Sequence, residues 1–245
     1  MKHVMHLASR RVVAAALLLA ALLAGITAHA RTAEEAERLT RLFDIVVFGS
    51  EIPGVAPAER VRKWTVPIRY KLAGSDLATW RPVVQRHATM LASLTGSAYQ
   101  EIGPKEAGEN LVVMLVPRDK MYDAGALVEK DPARLKRIVD AASGGCYFLS
   151  YSKEDRILYG AVVANVERPK NELERCLLEE MTQVLGLPND APGIKDPVPG
   201  YKYRGSGLTP AGELLLHTLY DPALKPGTPR AEALAFVKKL FLQQN

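Results

Sequence analysis

The chemically richest stretch of the 245-residue chain runs from Asn171 to Asp190, N-E-L-E-R-C-L-L-E-E-M-T-Q-V-L-G-L-P-N-D. It sets Glu179 beside Glu180, places Gln183 four residues after Glu179, and puts Asn189 and Asp190 just past Gly186 and Pro188. A glutamate at the edge of an apolar surface needs a partner, or burial raises its pKa. Glu180 is therefore the candidate general base. Glu179, Gln183, Asn189 and Asp190 are the candidate binding groups, and all offer oxygen. Such a hard, oxygen-rich set suits calcium or magnesium better than zinc. No zinc site of the standard type is expected, and no cofactor is required, although a divalent metal remains compatible with these donors.

These side chains share a surface only on a helix. At about 100° per residue, Leu173, Leu177, Leu178, Met181, Val184 and Leu185 form one buried side. Glu180, Cys176, Gln183 and Glu179 form a strip running outward from its border, and Glu179 and Gln183 meet as an i, i+4 pair. Asn171 and Glu174 have capping-box spacing. Gly186 followed by Pro188 is a stop signal. The helix is expected over about 172–185.

The stretch resembles the zinc-peptidase helix His-Glu-x-x-His, in which two histidines hold the metal and the glutamate activates water. Here those positions read Glu179-Glu180-Met181-Thr182-Gln183. The likeness continues into the metzincin pattern, where Gly186 matches the glycine and Asn189 stands at the third ligand position. Lys225-Pro226-Gly227-Thr228 falls near where a Met-turn would be sought but holds no Met. A closer resemblance is to a bacterial family of exported proteins, domain of unknown function 2927. It rests on R-C-L-L-E-E-M-T-Q-V-L-G-L-P-N-D, the later L-T-P, L-L-L-H-T-L-Y-D-P-A-L-K-P-G, and the upstream Cys in G-G-C-Y-F. It covers roughly Lys63 to the C-terminus. The chain departs from it at Gly212-Glu213, where an Asp is expected, and at Thr228, where Met is expected. The resemblance implies a fold and an exported location, but no reaction.

The remaining elements must support that helix. Ala33–Phe48 has amphipathic helical spacing, and a loop rich in Gly and Pro follows from Gly49 to Pro57. Trp64–Leu72 alternates like a half-buried strand. Thr79 can cap a helix reaching about Leu94, stopped by Gly96. Leu111–Val116 reads as a buried strand, and Pro132–Ala142 as a helix. Cys146–Tyr151 and Ile157–Val166 read as strands joined by a turn at Ser152–Asp155. Residues 191–207 form a long loop. Thr209-Pro210 opens a helix through Leu219, and Thr228-Pro229 opens another through about Leu242. His87 reads as a semi-buried histidine with its bonding satisfied, and Glu213 with His217 as a surface ion pair.

The first thirty residues read as a cleaved signal peptide. Lys2, Arg10 and Arg11 precede an apolar run from Val12 to Ile26, and Ala28-His29-Ala30 supplies the small residues read at cleavage. The whole chain carries 32 basic and 27 acidic residues. The leader holds three of the basic ones and no acid, which leaves the remainder near +2. The basic balance therefore argues for no nucleic-acid partner. Only His87 and His217 remain outside the leader, so a three-His zinc site is impossible. Two cysteines in an exported chain favour a Cys146–Cys176 disulfide; the alternative is two buried free thiols.

The expected architecture is α+β: 1–30 signal peptide, 31–62 N-terminal helix and linker, and 63–245 a single degenerate zincin- or metzincin-like domain with a small mixed sheet. The expected location is periplasmic or secreted, with no stable membrane anchor after cleavage. The leading functional expectation is a noncatalytic or atypical protein binding an envelope peptide or glycan. The alternatives are an atypical hydrolase using Glu180 as base, and a scaffold whose polar strip serves only internal hydrogen bonds.

Overall fold

The computed structural model describes residues 31–52, 54–190, 203–204 and 207–243. The expected leader and most of the 191–207 loop lie outside the described residues. Helix α1 spans Ala33–Phe48. Thr32 caps it by accepting from the Glu35 amide at 3.1 Å, and Glu34 and Glu35 occupy the first turn, where the helix dipole favours acids.

Six strands form one sheet: β1 Lys63–Trp64, β2 Ile68–Gly74, β3 Tyr99–Glu101, β4 Leu111–Val116, β5 Cys146–Lys153 and β6 Arg156–Asn165. The single strand expected over Trp64–Leu72 is two strands. Pro67 has no amide to donate, and on either side of it the chain pairs differently: β1 with β6, β2 with β3 and β4. All these pairings, and β4 with β6, are parallel. Only β5 is antiparallel, joined to β6 by a tight hairpin whose Glu154 and Asp155 both have positive φ. The order is β3-β2-β4-β6-β5, with β1 beside the first residues of β6.

The helices between are α2 Leu77–Thr95, α3 Met121–Ala126, α4 Pro132–Ala141, α5 Lys170–Gln183, α6 Pro210–Leu219 and α7 Arg230–Gln243. A two-strand ribbon, β7 Tyr203–Arg204 with β8 Gly207–Leu208, precedes α6. Asp131 caps α4, with Pro132 at its start, and Thr209 caps α6 with Pro210 in the same role. Two expected starts are corrected. Helix α2 begins after Asp76, not at Thr79. Helix α5 begins at Lys170 after Pro169, without a side-chain cap, and ends at Gln183 rather than Leu185. The Asn171–Glu174 capping box does not form; Glu174 is instead bound by Arg86 of α2. The segments β3 and α3 are too short to show a period and escape sequence reading.

Alternation along the strands feeds two separate cores. Val113, Leu115, Val162, Ala164 and Cys146 join a large cluster with α1, α2, α5, α6 and α7. Met114, Ala161, Val163, Tyr147 and Leu149 join a smaller one with α3 and α4. The result is a mixed sheet between two helical layers. Helix α1 contributes Leu39, Leu42, Phe43 and Val46 to the large core, so it belongs to the same packed unit as the strands. Cys146 and Cys176 are disulfide-bonded, tying the first residue of β5 to the middle of α5.

Candidate functional site

Strand β5 ends the sheet. One edge pairs with β6, and among the described residues no main-chain group bonds to the other. That free edge lies between the two helical layers and borders a cleft of about 250 Å³. Residues Cys146 to Ser150 line it consecutively, so it runs along the strand. Ile138 and Ala141 of α4, with Ala142 just past its end, form one wall. Glu180 and Gln183 of α5 form the other, continued by Gly186 and Pro188. The loop after α1, which includes Glu51, Ile52 and Val55, closes the third side.

This loop is closed at its neck, where the Ala58 amide donates to the Phe48 carbonyl at 2.7 Å. Its tip spans the cleft. Glu51 accepts a hydrogen bond from the Gln183 side-chain amide, while Ile52 packs against the α4-side core. Arg134 stands at the α4 end of the cleft. It pairs with Glu129 at 2.8 Å and lies 5.7 Å from the centre of the Tyr151 ring. The Tyr151 hydroxyl donates to Glu129 at 3.1 Å, and burial, aided by that carboxylate, pushes its pKa up to about 12.

The expected site residues divide by placement. Glu180, buried at 8% exposure, and Gln183, at 2%, both face the cleft. Glu179 turns toward a neighbouring polar hollow of about 350 Å³, shared with Arg168, Glu172 and Arg175. Glu51, Cys146 and Glu180 border both spaces, so the hollow and the cleft adjoin at Glu180. Asn189 goes elsewhere. Its side-chain amide donates to the Ile45 carbonyl at 2.9 Å, and its backbone amide to Val46 at 3.2 Å. Gly49 makes that docking possible, because a Cβ there would stand 2.2 Å from the Asn189 amide nitrogen. Asp190 follows it and lines neither space. The oxygen donors at the metzincin ligand positions thus turn to three places: Glu179 to the hollow, Gln183 to Glu51, and Asn189 to the end of α1. Among the described residues, no group of three or more His, Cys, Asp or Glu side chains is placed to hold a metal ion.

Gly186, the glycine shared with the metzincin pattern, has φ +112°, and a Cβ on it would meet the Arg62 carbonyl at 2.3 Å. It turns the chain out of α5 in a conformation that suits glycine. His87 is buried away from the cleft. Its Nε2 lies 3.3 Å from the Glu174 carbonyl, which it can meet only as a donor. Burial lowers its pKa to about 4, so the ring is neutral. The ion pair expected between Glu213 and His217 does not form; both side chains are exposed, and an exposed i, i+4 pair gains little from closing.

Sequence reading missed Glu51 and Arg134. Neither stands in a local pattern, and each reaches the cleft only because the α1 loop and α4 pack on opposite sides of the β5 edge.

The chain belongs to the family described as protein of unknown function (DUF2927), which matches residues 36–239. The match begins within α1, upstream of Lys63, where the resemblance was expected to begin. No curated protein and no solved structure matches the chain.

Proposed function

We propose that the protein is an exported binding protein that holds an extended peptide along β5. The observation that carries this reading is the free edge of β5 lining the cleft over five consecutive residues. An edge strand presents unpaired amides and carbonyls in a row, and an extended peptide can complete them by adding a strand. The order of elements, with the cleft running along an antiparallel edge strand and the Glu180 helix as one wall, supports reading the fold as a degenerate metzincin-like domain. Export is supported by the disulfide, which favours an oxidising compartment, and by the leader pattern. Among the described residues no helix is long and apolar enough to cross a membrane. Glu180 and Gln183 would contact the peptide and fix its register.

The test is hydrogen exchange with two probes, a pool of random end-blocked octapeptides and a chitin-type oligosaccharide. The peptide reading expects the pool to slow exchange of those Cys146–Ser150 amides that point away from β6. Binding of the oligosaccharide alone, without protection of that edge, replaces the peptide with a glycan. Cleavage of the peptides that needs a divalent metal and disappears in Glu180→Gln replaces binding with hydrolysis.

A further inference from the structure

Resting on the peptide reading above, we infer that the cleft selects peptides carrying an unbroken run of apolar residues, because a strand added to β5 is buried on both of its faces. Successive side chains of a strand point to opposite faces of its sheet. Where one face of a sheet meets water, its strands alternate apolar with polar residues. Strands covered on both faces read instead as continuous apolar runs.

The cleft is of the second kind. The side chains lining it belong to both cores, which lie on opposite faces of the sheet. Val47, Phe148 and Ile157 belong to the large core or pack on it. Ile52, Ile138 and Leu149 belong to the small core or pack on it. The two helical layers therefore flank the free edge of β5 together. A peptide paired there sends neighbouring side chains against apolar surface in both directions. The polar groups of the cleft do not restore an alternation. Gln183 is bonded to Glu51, and Glu180 also has a partner, so neither requires a bond from the peptide. A hydroxyl or amide turned toward either layer loses water and gains no partner.

Two end-blocked pentapeptides, each flanked by Lys pairs, test the inference by calorimetry on the full exported protein: Val-Val-Val-Val-Val and Val-Thr-Val-Thr-Val. Valine and threonine share a branched Cβ and favour strands alike, and the threonines of the second peptide fall on one face. An edge covered on one side only would leave them in water and bind the two peptides equally. The cleft covered on both sides should bind the all-valine peptide with a Kd at least about tenfold lower. At saturation, both should slow exchange of the β5 amides that point away from β6. Ala141→Asp, at an exposed position of α4 beside the cleft, retains the fold and should weaken the all-valine peptide about tenfold. Equal affinities of the two peptides, or an unaffected Ala141→Asp, with β5 protected, overturn burial on both faces and leave the peptide cleft standing. Failure of both peptides to protect β5 overturns the peptide reading itself.

Discussion

Two polar regions flank the end of α5, and their side chains reach for different things. On the cleft side, Gln183 bonds to Glu51, a side chain on a surface loop, beside open volume. On the opposite side, Lys63, Trp64 and Tyr220 aim at main-chain carbonyls. The Trp64 indole donates to Val184 at 2.9 Å, and the Tyr220 hydroxyl to Leu185 at 2.9 Å. Lys63 donates to Leu219 at 2.9 Å and to Asp221 at 3.1 Å. These are carbonyls at and just beyond the ends of α5 and α6, where a helix leaves acceptors without an internal donor. Buried polar side chains at a helix end therefore have two meanings. Those that satisfy fixed carbonyls are scaffold, and those that meet another side chain at the edge of a cavity are the ones the proposed peptide site would use.

The comparison breaks first at Trp64, which is 2% exposed. Trp64→Ala should cost about 3–5 kcal/mol in urea unfolding; a cost comparable to that of a surface substitution would show the region is not scaffold. The disulfide crosses from scaffold to cleft wall and closes a loop of 30 residues. Replacing both cysteines with serine should cost roughly 3–4 kcal/mol by loop-closure entropy, read in the same assay.

Titration sharpens the contrast next. Burial lowers Lys63 from 10.5 to about 8. The unfolded chain then holds a proton that the folded chain has released between those values. Stability should rise with pH from about 8 to 10.5, relative to Lys63→Met. His87 behaves alike at lower pH: burial lowers it from 6.5 to about 4. Its contribution should be lost as pH falls from 6.5 to about 4, and His87→Gln should remove that dependence. Melting temperatures across pH for each pair check both signs.

The smallest effects make the sharpest contrast. Tyr220→Phe leaves the Leu185 carbonyl without its donor and should cost about 1–2 kcal/mol. Glu51→Ala, on an exposed loop, removes the acceptor of the Gln183 amide beside open volume where water can replace it, and should cost about 1 kcal/mol or less while altering peptide affinity. A large stability loss from Glu51→Ala would place the cleft on the scaffold side.

Much of the frame is legible where a rule acts over a few residues. Helix α1 follows from its apolar spacing and the Thr32 cap, strand β4 from an unbroken apolar run, and α6 from Thr209-Pro210. The stop after α5 is written in Gly186 and Pro188. Legibility fails at the start of α5, where a plausible capping box loses Glu174 to Arg86, 88 residues away. It fails again between β1 and β2, where an alternating pattern hides Pro67. At the site, the projection of α5 puts Glu180, Gln183 and Glu179 on one strip, whereas the structure turns the first two to the cleft and Glu179 to the adjoining hollow. The projection cannot show that Asn189, six residues beyond Gln183, leaves that strip for Ile45.

The sequence by itself determined the α+β class, the pairing open to its only two cysteines, and the helix bearing Glu179, Glu180 and Gln183. Those follow from counting and from periodicities that span one or two turns. Tertiary packing alone decided that Glu51 meets Gln183 across 132 residues and that Asn189 docks on α1 across 144. It also left one edge of β5 facing a cleft. The physical reason is that each of these depends on where α1 and α4 settle against the sheet, and that is set by the summed burial of two cores, which no short stretch of sequence encodes.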